Sequence, residues 1–357
     1  MKKILLSIIV FGVLLTSCKD KLLTVAENAI KPTAITVPTP NDTDDPAIWV
    51  HPTDASKSLI IGTDKEVGGG LYVYNLDGKI INKFIGMDRP NNVDVAYGLH
   101  INGVKTDIAV TTERKANVIR IFSLPDLKPI DNGGIPIFEG ETGKDERDGM
   151  GLALYTKIDS ISNEIYAVVG RKSGPSGTYL WQYRLFANQK GTVEGEVVRK
   201  FGNYSGKKEI EAIAIDNELG YIYYSDEQSG VRKYYADPEK GNQELAFFAQ
   251  DDAESDHEGI AIYKKNETEG YILVSNQQKN TFLVYKREGS NSNVHNHTLI
   301  TEFPVSTIEC DGADVMNVNF GNKYPNGIFV AMSNGKVFHI YDWRLIQEWI
   351  DTNQRNE

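Results

Sequence analysis

The chain has 357 residues, with 38 Lys and Arg against 49 Asp and Glu, a formal net charge of −11. That excess of acid argues against nucleic acid or an anionic membrane surface as the main partner. A 40% hydrophobic content with 18 Tyr and 13 Phe excludes a disordered chain, and two cysteines, Cys18 and Cys310, exclude a disulfide framework or a thiolate-rich metal site.

In chain order, the first element is an export signal. Lys2 and Lys3 precede the apolar run 4–15, which is too short to span a bilayer as a helix and fits a signal h-region. The run ends in Leu14-Leu15-Thr16-Ser17-Cys18, which resembles a bacterial lipobox. Residues 1–17 are therefore expected to be a lipoprotein signal peptide, Cys18 the lipidated first residue of the mature protein, and residues 18–32 a tether. Losing Lys2 and Lys3 takes the charge from −11 to −13. The expected location is that of an exported bacterial lipoprotein of the outer membrane, on its periplasmic or cell-surface face, touching membrane only through lipid.

From residue 33 onward a repeat dominates. Strands ending in an aromatic recur at 71–74, 119–122, 180–183, 231–234, 282–285 and 338–341. Each follows an apolar strand, at 59–62, 107–110, 166–169, 221–224, 271–274 and 327–330. Each of those follows a segment with a polar or acidic start, at 44–48, 91–95, 148–152, 209–213, 256–260 and 311–315. Fourth strands are visible at 79–84, 193–201, 244–248 and 298–303. Four short antiparallel strands in about fifty residues make a β-propeller blade. The fold class expected is all-β, a six-bladed propeller over residues 33–350. Its sixth blade lacks an outer strand, which 34–37 is expected to supply, closing the ring. Residues 343–350 read as a short terminal helix.

In a propeller the innermost strand of each blade lines the central channel. Antiparallel pairing brings the start of that strand and the end of the second to the same face. The first set supplies Asp44, Asp45, Asp94, Glu211, Asp256, Glu258, Asp311 and Asp314. The second supplies Lys65, Arg114, Arg171 and the acidic pair Asp226 and Glu227. Carboxylates packed this closely repel unless something neutralises them. Oxygen donors without Cys or a regular His pattern favour a hard cation, Ca²⁺. Three cations from successive blades beside such a metal suit an oxyanion such as phosphate.

Other phosphate chemistries lack their residues. There is no Walker-type loop, and Gly68 to Gly70 sit in a hairpin turn. There is no Arg-His-Gly signature, no Gly-x-Ser-x-Gly elbow, and Met316 stands where a cysteine phosphatase needs an arginine after Cys310. His295 and His297 lie in a polar loop and are expected to be solvated. His257 lies between Asp256 and Glu258, so strand alternation points it away from them.

Five segments carry a resemblance: 44–52 (Asp-Asp-Pro-Ala-Ile-Trp-Val-His-Pro), 91–94 (Asn-Asn-Val-Asp), 256–263 (Asp-His-Glu-Gly-Ile-Ala-Ile-Tyr), 311–314 (Asp-Gly-Ala-Asp) and 323–330 (Lys-Tyr-Pro-Asn-Gly-Ile-Phe-Val). In this order they resemble the β-propeller (alkaline) phytases across nearly the whole mature chain. The resemblance implies a monomeric, Ca²⁺-dependent phosphomonoesterase of the 3-phytase type. Its substrate is phytate (myo-inositol hexakisphosphate), cleaved by direct attack of a calcium-activated water to lower inositol phosphates. It assigns Asp44, Glu211, Asp256 and Glu258 to catalytic calcium, with Glu227 near the site. Asp45 and Asp311 go to structural calcium, helped by backbone oxygens of Pro46, Val93 and Gly312. Lys65 and Arg114 hold the phosphate being cleaved, with Asn91 and Asn92 in the substrate-binding set and Arg171 at a second subsite. Met150, Lys172 and 332–334 (Met-Ser-Asn) depart from the family pattern and bear on the number of calcium ions and on the second subsite. The alternatives are a non-catalytic, lipid-anchored propeller that captures phosphorylated ligands, and a metal-dependent lactonase-type propeller. The first has no need of the carboxylate cluster, and the second no use for Lys65 and Arg114 together.

Overall fold

A computed structural model describes residues 24–158 and 163–354. The signal peptide, Cys18 and the first part of the tether lie outside the described residues. Strand β1 (Ala34–Ile35) comes first. Blade 1 is β2 (Thr43–Trp49), β3 (Leu59–Asp64), β4 (Val67–Tyr74) and β5 (Ile80–Asp88). Blade 2 is β6 (Pro90–Ile101), β7 (Val104–Glu113), β8 (Val118–Ser123) and two short pieces, β9 (Lys128–Pro129) and β10 (Ile135–Pro136). Blade 3 is β11 (Gly149–Ile158), β12 (Asn163–Arg171), β13 (Leu180–Ala187) and β14 (Val193–Phe201). Blade 4 is β15 (Ile213–Asp216), β16 (Tyr221–Asp226), β17 (Gly230–Tyr235) and β18 (Ala246–Phe248). Blade 5 is β19 (His257–Lys264), β20 (Gly270–Asn276), β21 (Thr281–Lys286) and β22 (Leu299–Pro304). Blade 6 is β23 (Ala313–Met316), β24 (Ile328–Ser333) and β25 (Val337–Asp342), followed by helix α1 (Trp343–Thr352).

The sixth sheet runs β1-β25-β24-β23, so the N-terminal strand closes the ring as expected. Ala34 pairs with Ile340 and Ile35 with His339. The largest apolar cluster seals this seam, joining Leu273 of blade 5, Phe329 of blade 6 and Tyr74 of blade 1 around Phe338. Helix α1 buries Trp343, Ile346 and Ile350, an i, i+3, i+7 stripe, and Trp343 stacks on Tyr263. The second strands are buried on both faces because each blade is covered by two neighbours. That is why they read as unbroken apolar runs and not as alternation. Blade 2 breaks the pattern on its outer edge, where Pro125, Pro129 and Pro136 cannot donate to a ladder and only two-residue pieces form.

Polar side chains tie blade to blade around the channel. The Oδ2 of Asp45 accepts the Val93 amide (3.1 Å), that of Asp94 the Leu154 amide (2.7 Å), and that of Asp314 the Ile48 amide (2.8 Å). Hydroxyls of Thr112, Ser225 and Ser275 donate to the Met150, Glu258 and Cys310 carbonyls of the next blade. Asp94 and Asp314 therefore brace the wall and do not join the mouth. Burial raises them to about 7 and about 6.

His297 is not solvated. Its ring is buried, with Nε2 3.1 Å from Lys233 Nζ and Nδ1 2.9 Å from the Lys286 carbonyl, while His295 is half-buried. A lysine can only donate, so Nε2 accepts, Nδ1–H donates, and the ring is neutral. Burial, reinforced by Lys233, depresses His297 to about 4, and burial does the same for His339. The unfolded chain therefore binds more protons between pH 6.5 and 4. This contribution is full above 6.5 and is lost as pH falls towards 4, at up to about 3 kcal/mol per ring. Denaturant unfolding at pH 7 and pH 4.5 is expected to show a smaller acid loss for the His297→Gln/His339→Gln variant than for the parent; equal losses contradict the assignment.

Candidate active site

The mouth is built at the starts of the innermost strands. Four of these carry a register irregularity there: between Thr43 and Pro46, Pro90 and Val93, Gly149 and Leu152, and His257 and Ile260. A bulge lets neighbouring residues take different directions. Asp44 accordingly reaches the mouth while Asp45 turns into the seam with blade 2. His257 points away from the acids beside it, its Nε2 2.6 Å from the Ala249 carbonyl.

On one side Lys65 Nζ lies 2.6 Å from Asp311 Oδ2, 3.1 Å from Asp44 Oδ1 and 3.7 Å from Asp42 Oδ2. Burial opposes its charge, but Asp44 and Asp311 outweigh that and hold its pKa above the usual lysine value. Arg114 donates from Nη2 to Asn91 Oδ1, leaving its buried Nε without a partner. Asn91 passes the connection on, donating from Nδ2 to Glu211 Oε1 (2.6 Å) and to Asn92 Oδ1 (2.9 Å). Burial and the charge of Asp44 raise Glu211, against Lys65, Asn91 and Arg114.

On the other side Lys208 Nζ lies 2.5 Å from Glu227 Oε2, 3.0 Å from Asp256 Oδ2 and 3.7 Å from Glu258 Oε1. Gln277 donates to Asp311 (2.7 Å) and Gln278 to Asp256 (3.0 Å), linking the two sides. Burial raises Glu227 to about 8 and Asp311 to about 7. Burial, with Glu227 and Glu211, pushes Glu258 well above the carboxylate range.

Two groups of carboxylates bring oxygens within 4.8 Å of one another: Glu209, Glu211 and Glu227, and Glu227, Asp256 and Glu258. They share Glu227. Buried oxygens of Asp44 (Oδ2), Glu227 (Oε1) and Glu258 (Oε2) have no hydrogen-bond partner. Carboxylates this crowded, with free lone pairs and only oxygen donors, fit a hard divalent cation. Asp45 is half-buried, and burial together with the charge of Asp44 raises it strongly. It lines the channel, a cavity of about 190 Å³, together with Pro46, Asn92 and Val93.

Three expected site residues stand elsewhere or do other work. Arg171, expected at a second subsite, is completely buried. It pairs with Glu141 (3.2 Å), donates to the Glu146 and Thr178 carbonyls, and sits over the Phe138 and Tyr179 rings. Its neighbour Lys172 is half-buried and pairs with Glu209 (3.2 Å). The Gly312 carbonyl already accepts the Met332 amide (2.9 Å) and the Cys310 thiol (3.3 Å), which uses both lone pairs. Gly312 instead allows close approach, since a Cβ there would run into Asp45. Asn91 spends its amide on Arg114, Glu211 and Asn92, so it positions them.

Lys208, Glu209, Gln277 and Gln278 are the site residues that sequence reasoning passed over. The one signal available for the first two was their place immediately before Glu211 in 207–211 (Lys-Lys-Glu-Ile-Glu).

The family model described as Phytase matches residues 4–352. The 3-phytase of Bacillus subtilis (strain 168) is 33% identical over 323 residues, covering 85% of this chain and 80% of that protein. Among solved structures, the crystal structure of BBS1N in complex with ARL6DN, soaked with mercury, aligns with a TM-score of 0.50 at 12% identity. It covers 85% of this chain and 81% of that one. That likeness is one of fold alone.

Proposed function

The chain belongs to the phytase family of phytate-hydrolysing phosphoric monoester hydrolases, and from that premise we propose that its hydrolysis depends on calcium at the channel mouth and proceeds by direct attack of water, with 3-phytase-type selectivity. One observation carries this reading: two carboxylate groups sharing Glu227, with unpartnered buried oxygens, stand beside Lys65 and Arg114. Asp44, Glu211, Glu227, Asp256 and Glu258 would hold the catalytic ions, and Asp45 and Asp311, with the Pro46 and Val93 carbonyls, structural ones. When bound, calcium supplies positive charge for the phosphate oxygens and polarises water.

The protein's own groups do the rest. Lys65 and Arg114 offer N–H donors to the equatorial oxygens of the phosphate, where charge develops in the transition state. Asn91 holds Arg114 and Glu211 in fixed relation. Cys310 is buried, its thiol donates to Gly312, and burial pushes its pKa well up, so it offers no nucleophile.

The protein is further proposed to act as a monomer, exported and anchored by lipid at Cys18. Among the described residues no helix is long and apolar enough to cross a membrane. Calcium titration tests the metal assignment. Glu258→Gln is expected to lose calcium affinity at least tenfold, about 1.4 kcal/mol; unchanged affinity would remove Glu258 from the ligand set.

A further inference from the structure

Lys208 occupies a place that chemistry reserves for a cation of higher charge. Its ammonium lies within 4 Å of three carboxylates, Glu227, Asp256 and Glu258. Those acids are buried, yet Glu227 Oε1 and Glu258 Oε2 remain without a hydrogen-bond partner. One ammonium has three donors and one charge, and it leaves this cluster under-neutralised. The lysine stem is not locked in: about a third of the side chain is exposed (36%), on the solvent side of the mouth. It also precedes β15, in a stretch without strand pairing, so it can swing without breaking a ladder.

We propose that Lys208 is a tethered counter-ion that competes with the divalent cation for the Glu227–Asp256–Glu258 cluster and, once displaced, turns outward to bind a substrate phosphate. The inference rests on the calcium reading above. While the ion is absent, the ammonium holds the acids together. When the ion enters, two cations cannot share the pocket, and the ammonium moves to where a phosphate oxygen accepts it. Calcium and phytate binding are thereby coupled through one side chain: a polyphosphate that captures the displaced lysine favours the metal-bound state.

The experiment is calorimetric titration of calcium alone into the parent protein, Lys208→Met and Lys208→Arg. Lys208→Met is expected to bind calcium more tightly at one site, by about tenfold or more, and to raise KM for phytate at saturating calcium. Lys208→Arg keeps the charge and is expected to bind calcium like the parent. Unchanged or weaker calcium binding by Lys208→Met, with a parent that binds calcium, overturns this proposal and leaves the phytase reading intact. A parent that binds no calcium overturns both. If Lys208→Met unfolds without metal, added calcium is expected to restore its fold, and failure to do so contradicts the proposal.

Discussion

Arg114→Ala is expected to lower kcat/KM for phytate by about a thousandfold, the lower range of what an arginine on a transferring phosphoryl group contributes. Arg114 immediately follows β7 and reaches the mouth through Asn91, with an Nε–H still free. An alanine removes the donors while Asn91 keeps its bond to Glu211, so the fold and calcium binding are expected to persist. Arg114→Lys is expected to recover only part of the loss, since an ammonium lacks the planar fork that holds two oxygens at once. The measurement is steady-state phosphate release, with thermal unfolding as control. An alanine variant within threefold of the parent would remove Arg114 from the phosphate site.

Arg287→Met is expected to cost about 3–5 kcal/mol of stability with no loss of catalysis in the surviving fold. Arg287 and Asp216 are both fully buried and joined by two bonds, at 2.5 and 2.6 Å. The guanidinium also donates to the Asn266 and Glu267 carbonyls and to Glu218. This pair joins blade 5 to blade 4 at the end of the channel away from the mouth. Removing the cation leaves a buried carboxylate with no counter-charge, which is costlier than replacing the pair. Arg287→Met/Asp216→Leu is therefore expected to be less destabilised than Arg287→Met alone. Chemical denaturation decides this, and a double variant no better than the single would show that packing, not charge, dominates the site.

The ring of six blades was legible because each repeat has its own alternation and a terminal aromatic, and because residues 34–37 were the one strand left to close blade 6. Lys65, Arg114 and Glu227 were legible from topology, since antiparallel pairing carries the end of a second strand to the mouth. Alternation could not report on Lys208 and Glu209, because β15 starts only at Ile213 and the chain before it has no period. Nor could it tell an arginine at the mouth from one folded back into the wall. Arg171 follows the same strand logic as Arg114, but Phe138, Tyr179 and two backbone carbonyls lie where it can bury itself. Asp94 and Asp314 illustrate the same limit. Acids on innermost strands read alike, yet three residues into their segments Asp94 and Asp314 have the amides of the next blade as partners.

The most direct test of the account is phosphate release from phytate by the purified protein, with calcium and then with excess chelator. Release that needs calcium and returns when calcium is restored is the predicted result. Undiminished release in chelator would contradict the metal assignment. Calcium binding without release would contradict the enzymatic one and leave a capture module.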